Sequence, residues 1–399
     1  MDNSQAALPR VFLQAGRDRR VALGHPWAYS NEITIDADAK ALPPGSLATL
    51  HRVDGKPLGL GTFNPHTLIA FRLLSRDASA TIDRAFLANR ITRALNLRQT
   101  LFDAPFYRVV HAEGDGLPGL ICDRLDGVLV AQINTAGMQA LTDDLLAALD
   151  DALAPHTVVL RNDSPARASE GLSGSVTIAK GQIDDAIMVR EGGCCFFADV
   201  LAGQKTGWFF DQRDARDIIA PLSAGGSLLD VFCHTGGFAV RAAAAGAHSV
   251  VGVDSSEPAL HLARRAAAAN GVEHLCAFRR ADAFTELERL ARSKERFRIV
   301  VADPPAFVKS RKDLASGLRG YRKLARLAAP LVAPQGFLFI ASCSHNVEPD
   351  ALLSEIVHGI SSAARSGRII HEGRAAPDHP VHTHLPETSY LKWAILQLD

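Results

Sequence analysis

The chain has 399 residues, 47% of them hydrophobic and 22% charged. At roughly 100–200 residues per domain this predicts two or three globular domains, and it excludes a disordered chain, which needs low hydrophobicity and high net charge. Basic and acidic residues balance at 43 each, so the bulk charge argues against an indiscriminate polyanion binder but says nothing about local patches.

No apolar run approaches the ~18 residues of a membrane span, and Met1 to Gln14 lacks the pattern of a secretory signal. A cytoplasmic protein with no membrane partner is expected. The six cysteines, at 122, 194, 195, 233, 276 and 343, form no C-x-x-C pair. That usage fits a reducing compartment and a chemical rather than structural thiol.

Up to about residue 190 the pattern is mixed. Short β-like runs at Ser46 to Leu50, Leu68 to Leu74 and Val128 to Ile133 are separated by turn signals. Asp126-Gly127, between "LICDRL" and "VLVAQI", predicts a hairpin. Helical spacing predicts helices over Ile82 to Leu101 and Met138 to Leu153. We read two small units with a boundary near residue 75, against the alternative of one irregular domain.

From about residue 215 buried-looking strands alternate with Ala-rich helices: "SLLDVF", "SVVGVD", "LCAFRRAD", "RIVVAD" and "GFLFIAS". This is the signature of β-α-β units and a mainly parallel, doubly wound α/β sheet. Ligands of such sheets bind beyond the carboxyl ends of the strands.

Several informative residues fall at those ends. The first strand runs into "DVFCHTGGF", Asp230 to Phe238, where Thr235-Gly236-Gly237 makes a turn that lets a ligand approach the backbone. This is not G-x-G-x-x-G, so a dinucleotide is disfavoured. The second strand ends at Asp254, suited to the two hydroxyls of a ribose, and the third at Asp282, suited to an adenine amine. Either could instead be a helix cap. In register with the glycine turn, the three acids point to an adenosine-type cofactor.

The fourth strand ends in Asp303-Pro304-Pro305-Ala306-Phe307, a stiff loop with an acidic head and an aromatic ring, suited to holding a planar base. The fifth ends in Ser342-Cys343-Ser344-His345. Cys343 is a candidate nucleophile if it can lose its proton; the alternative is a small buried hydrophobe. Seven basic residues against one acid lie between Lys309 and Arg326, and Arg17, Arg19 and Arg20 form a second cluster. Beside a base-binding loop, such charges suit phosphate contact. No metal is expected, since His379, His382 and His384 lack cysteine or acidic ligands at suitable spacing.

Together, "GQKTGWFFDQR", "DVFCHTGGF", "VVGVDSS", "DPPAFVKS" and "SCSH" resemble the class I S-adenosylmethionine-dependent RNA methyltransferases, and within them the RlmI-type enzymes that methylate C5 of a cytosine in large-subunit (23S) ribosomal RNA. "RRVALGHPWAYSNEI" looks like that family's PUA RNA-binding domain and "EGDGLPGLICDR" like its middle α+β domain. "DHPV" and "YLKW" look like its C-terminal end. The resemblance implies a PUA-like domain over 1–75, an α+β domain over 76–190 and a Rossmann-like methyltransferase domain over 191–399.

It implies S-adenosyl-L-methionine as cofactor, held by Asp230, Phe232, Thr235, Gly236, Gly237, Phe238, Asp254, Ser255 and Asp282. Asp211, Gln212 and Arg213 would line the cofactor or target pocket, Arg213 gripping a carboxylate unless it forms an internal ion pair. Cys343 and Asp303 would be catalytic. Pro304, Pro305, Phe307, Lys309, Arg311, Lys312, Arg19 and Arg20 would meet the RNA. A homodimer stays open.

Position 306 is Ala where related enzymes often have a larger or charged residue, and His234 replaces a residue that is often aromatic. The DPPAF loop has no cysteine, which leaves Cys343 as the nucleophile. The competing readings are a methyltransferase acting without a covalent link on another base atom, such as guanine N7, and a non-catalytic RNA-binding assembly factor. A small-molecule methyltransferase is opposed by the front domain.

Overall fold

A computed structural model describes residues 8–399; the first seven residues, part of the stretch read above for a secretory signal, lie outside the described residues. The chain forms two compact units, one of residues up to 185 with 200–207 and 378–386, the other of 186–199, 208–377 and 387–399.

The first unit carries two sheets. A six-stranded sheet is built from Arg10–Leu13, Trp27–Tyr29, Ile33–Thr34, Ser46–His51, Pro57–Phe63 and Ile69–Ser75. Its core gathers Val11, Leu13, Ile33, Leu50, Phe63 and Phe71. A five-stranded sheet follows, with helices Arg84–Leu101 and Thr142–Leu153 contributing Leu87, Ile91, Leu145 and Leu149 to a second core.

The expected hairpin forms, Leu120–Leu125 pairing antiparallel with Val128–Ile133. Asp126 takes a left-handed φ of 57°, a conformation aspartate tolerates through local hydrogen bonding. The helix expected over 138–153 is instead two, Ala136–Ala140 and Thr142–Leu153. Thr142 turns its hydroxyl back to the Gln139 carbonyl at 2.7 Å, and Asp143 and Asp144 give the second helix an acidic first turn, favourable at a positive helix end.

In the second unit a seven-stranded sheet runs in the order Cys276–Arg280, Ser249–Asp254, Ser227–Val231, Phe297–Ala302, Val332–Ser342, Lys392–Leu398, Gly367–Arg374. The first five strands are parallel and the last two pairings antiparallel. This is the mainly parallel, Rossmann-like sheet the apolar runs predict. Strands such as Ser227–Val231 are buried through Leu228, Leu229 and Val231 because helices such as Gly237–Ala244 and Leu314–Ala328 pack on the sheet. Strand order reverses between Ser227–Val231 and Phe297–Ala302, which places the switch point beside Asp230 and Asp303.

Candidate active site

The turn after Ser227–Val231 folds tightly because its residues accept unusual backbone. Phe232 and His234 have φ of 67° and 49°, and Gly236, at 82°, caps helix Gly237–Ala244. Asp254, ending the next strand, fastens this turn: its carboxylate accepts from the His234 and Ser256 amides, both at 2.9 Å.

Asp230 is buried beneath the turn, 1% exposed. One oxygen accepts the Ala239 amide at 3.0 Å, while Oδ1 has no partner among the described residues. Burial, with the Asp303 and Asp254 carboxylates nearby, pushes its pKa up to about 8.

Thr235 and Phe238 are also buried, Phe238 with its ring 5.1 Å from that of Phe339. Ser255 is exposed. Asp282 is an exposed helix cap, accepting from the Thr285 amide at 2.9 Å and hydroxyl at 3.0 Å. Those bonds hold its carboxyl below the usual range. The cap that was the alternative for Asp282 is therefore present, and it leaves the side chain at the carboxyl end of its strand.

The turn and the acids suit an adenosine-type cofactor. A glycine at positive φ opens the helix N-terminus, and the orphaned Asp230 oxygen is the acceptor an α-ammonium or hydroxyl group needs.

Asp211 and Gln212 lie in a short turn, Phe210–Gln212, ahead of helix Arg213–Leu222. Asp211 accepts the Tyr390 hydroxyl at 2.6 Å, and the Tyr390 ring lies 5.3 Å from that of His345. Gln212 is buried with its Oε1 unpartnered among the described residues. Arg213 approaches Glu191 at 3.8 Å and lies over Phe210, so the internal ion pair weighed for it exists. The stronger partner of Glu191 is Arg216, 2.6 Å away, with Trp208 donating to its other oxygen at 3.1 Å.

Asp303 and Cys343 follow adjacent parallel strands. The two loops are tied by hydroxyls. Ser342 Oγ donates to Tyr321 OH at 2.7 Å, Tyr321 OH meets Ser344 Oγ at 3.0 Å, and Ser344 Oγ accepts the Val308 amide at 3.3 Å. Pro304 is buried and Pro305 exposed. Phe307 packs its ring 4.8 Å from Tyr321 and 6.1 Å from Phe284, which fixes the loop's direction. Helix Leu314–Ala328 approaches closely because residue 317 is glycine: a Cβ there would stand 2.9 Å from the Phe307 carbonyl oxygen.

Cys343 is only partly buried. Burial raises the thiols of Cys122, Cys194, Cys233 and Cys276 above their ordinary range, which makes them poor nucleophiles.

Lys309, Arg311 and Lys312 are exposed just beyond the DPPAF loop. Arg322 is bound to Glu355 at 2.6 Å, and Lys323 lies over Phe284, so the basic stretch is only partly available to a ligand. In the first unit Arg19 is exposed, while Arg20 pairs with Glu32 at 2.6 Å and covers the Tyr29 ring.

Tyr321, Lys392, Glu191 and Gly317 were not singled out from the sequence. A lysine heading the apolar run "KWAILQL" was the one visible signal among them.

The chain matches a model for S-adenosylmethionine-dependent methyltransferases over residues 108–381 and one for a PUA-like domain over 11–76. It is 33% identical to ribosomal RNA large subunit methyltransferase I of Pseudoalteromonas atlantica over 98% of this chain and 99% of that protein. The protein of the same name in Shewanella denitrificans is 34% identical with the same coverage. Among solved structures, SMU.776 in complex with SAH superposes with a TM-score of 0.83 at 18% identity, covering 98% of this chain and 100% of that one. No helix among the described residues is long and apolar enough to cross a membrane. The chain belongs to the S-adenosylmethionine-dependent methyltransferases, in the family of ribosomal RNA large subunit methyltransferase I.

Proposed function

We propose that the protein methylates C5 of a cytosine in large-subunit ribosomal RNA through a covalent adduct of Cys343. The observation that carries this reading is the placement of Cys343 and Asp303 just past the ends of adjacent parallel strands, their loops joined through Tyr321, Ser342 and Ser344.

S-adenosylmethionine would supply an electrophilic methyl group on a sulfonium, whose sulfur keeps the electron pair of the broken S–CH3 bond and leaves as the neutral thioether. Asp230, Asp254 and the Thr235–Phe238 turn would hold the cofactor, with Ser255, Asp282, Phe232 and the Asp211–Arg213 segment around them. The Cys343 thiolate adds to C6 of the base, which turns C5 into an enamine-like nucleophile. Asp303 holds the N3/N4 edge as charge develops there. Once C5 carries the methyl group, a base removes its proton and the thiolate leaves.

The target base must be flipped or already unpaired to reach a pocket at the carboxyl ends of the strands. Pro304, Pro305 and Phe307 shape that pocket, and Lys309, Arg311 and Lys312 contact flanking phosphates. The PUA-like segment, with Arg19 and Arg20, recruits the RNA in the reducing cytoplasm.

The test is Cys343→Ala. Ribosomal RNA from cells carrying the variant should lack the 5-methylcytosine that wild type restores, read by mass mapping. Retained C5 methylation overturns the covalent mechanism, and a methyl mapped to guanine N7 favours the non-covalent alternative.

A further inference from the structure

We propose that Lys392 is a positioning residue for Cys343: its buried ammonium clamps the turn that carries the thiol and its positive charge favours the thiolate. The inference rests on Cys343 being the nucleophile.

Lys392 opens the antiparallel strand Lys392–Leu398 and pairs in register with Ser342, the residue before Cys343. The residue is 6% exposed. Nζ donates to the Ser344 carbonyl at 2.6 Å and to the Val347 carbonyl at 2.7 Å. These oxygens lie one and four residues after Cys343, so a single ammonium bridges both sides of the turn, which the Val347 amide closes onto Ser344 O at 3.2 Å.

Burying a cation is costly, and lysine sits inside a protein when its charge is compensated or used. Both partners are neutral carbonyls, so the charge remains available to the surroundings. Burial lowers the ammonium below its ordinary range, while Glu348 and Cys343 act the other way and favour the charged form. An electrostatic pull between Lys392 and Cys343 works on both groups, because stabilising an anion at the sulfur and a cation at the nitrogen is one interaction.

The ionisable groups around the turn and Lys392 include Glu348, ahead of helix Pro349–Ser362, Tyr321 on helix Leu314–Ala328, and Glu372 and Arg374 on strand Gly367–Arg374, which line one cavity with Lys392. His345 lies in the turn itself, Tyr390 precedes the strand and Asp303 ends the neighbouring one. Glu348, Asp303 and the tyrosines oppose a thiolate or leave it unaided. Arg374 pairs in register with Lys392, and Lys392 is the cation whose ammonium binds the turn itself.

The test measures iodoacetamide alkylation of Cys343 against pH by peptide mass spectrometry, on the full chain without RNA. Wild type should react with a midpoint below the ~8.5 of an ordinary thiol. Lys392→Met should raise that midpoint by about one pH unit. It should also lower kcat about tenfold near neutral pH, with recovery as pH rises and KM for S-adenosylmethionine unchanged. Lys392→Arg, which keeps the charge, should keep the wild-type midpoint even if the altered clamp lowers kcat. A wild-type midpoint at or above 8.5, or superposable Met and wild-type profiles, overturns the proposal; the wild-type measurement stands even if the Met variant fails to fold. Methylation retained by Cys343→Ala would instead overturn the covalent reading, without altering the alkylation result.

Discussion

The Tyr321 hydroxyl lies 3.0 Å from the Ser344 hydroxyl, fully buried, and through it the helix Leu314–Ala328 is joined to the turn that carries Cys343. Because Ser342 and the Val308 amide complete the chain, one phenol sets the spacing between the Cys343 and Asp303 loops. Tyr321→Phe leaves two buried serine hydroxyls short of a partner, a loss of about 1–3 kcal/mol. We expect that cost in urea unfolding and a fall in kcat with unchanged cofactor affinity. Wild-type kcat in this variant would show that the phenol does not set the loop spacing.

Asp230 links stability to pH. Its pKa rises from 3.8 to about 8 on folding, so the stability it contributes is fully present below the unfolded value. That contribution drains away as pH climbs through the folded one. Asp230→Asn stays neutral, and its carbonyl can still accept the Ala239 amide. The variant should therefore gain on wild type by up to about 1.4 kcal/mol per pH unit between pH ~4 and ~8, then level off. Urea midpoints across that range test this, and a difference independent of pH would contradict it.

Glu191 holds Arg216 at 2.6 Å with both side chains almost wholly buried. Glu191→Gln leaves the guanidinium without a counter-charge and should cost about 3 kcal/mol. Thermal unfolding of the full chain would reveal it. A variant of wild-type stability would mean that the charge is neutralised by other groups.

At Gly317 an added Cβ would stand 2.2 Å from Val308 Cγ2 as well as crowding the Phe307 carbonyl. Gly317→Ala should push the DPPAF loop away from its helix. Calorimetry should find S-adenosylmethionine binding intact while methyl transfer to RNA drops tenfold or more, since small misplacements of reacting groups are that costly. Parallel losses in both would point to a wider disruption.

Arg311 and Lys312 are exposed at the edge of the site. If each meets a phosphate, replacing either with alanine should flatten the slope of log K against log salt by about 0.7–0.9. Filter binding to ribosomal RNA fragments at several salt concentrations measures the slope, and an unaltered value removes the residue from the interface.

Much of this was legible in the sequence because the signals are local. Runs such as "SVVGVD" and "RIVVAD" can satisfy their apolar side chains only as buried strands, and their spacing to Ala-rich helices fixes a parallel sheet. The acids at 230, 254, 282 and 303 then fall at strand ends by chain direction alone. The motif order likewise pointed to the family.

What only the tertiary structure decided are relationships between residues far apart in the chain. Lys392 reaches the Ser344 and Val347 carbonyls because an antiparallel strand returns beside Ser342. Tyr321 finds two serines because its helix packs on the sheet beside the strand that ends at Ser342. Length and balanced charge bounded the class of molecule, and local sequence set the strands and their chemistry. The buried hydrogen bonds that hold the Cys343 and Asp303 loops together arise only when packing removes water and brings distant donors and acceptors within 3 Å or so of one another.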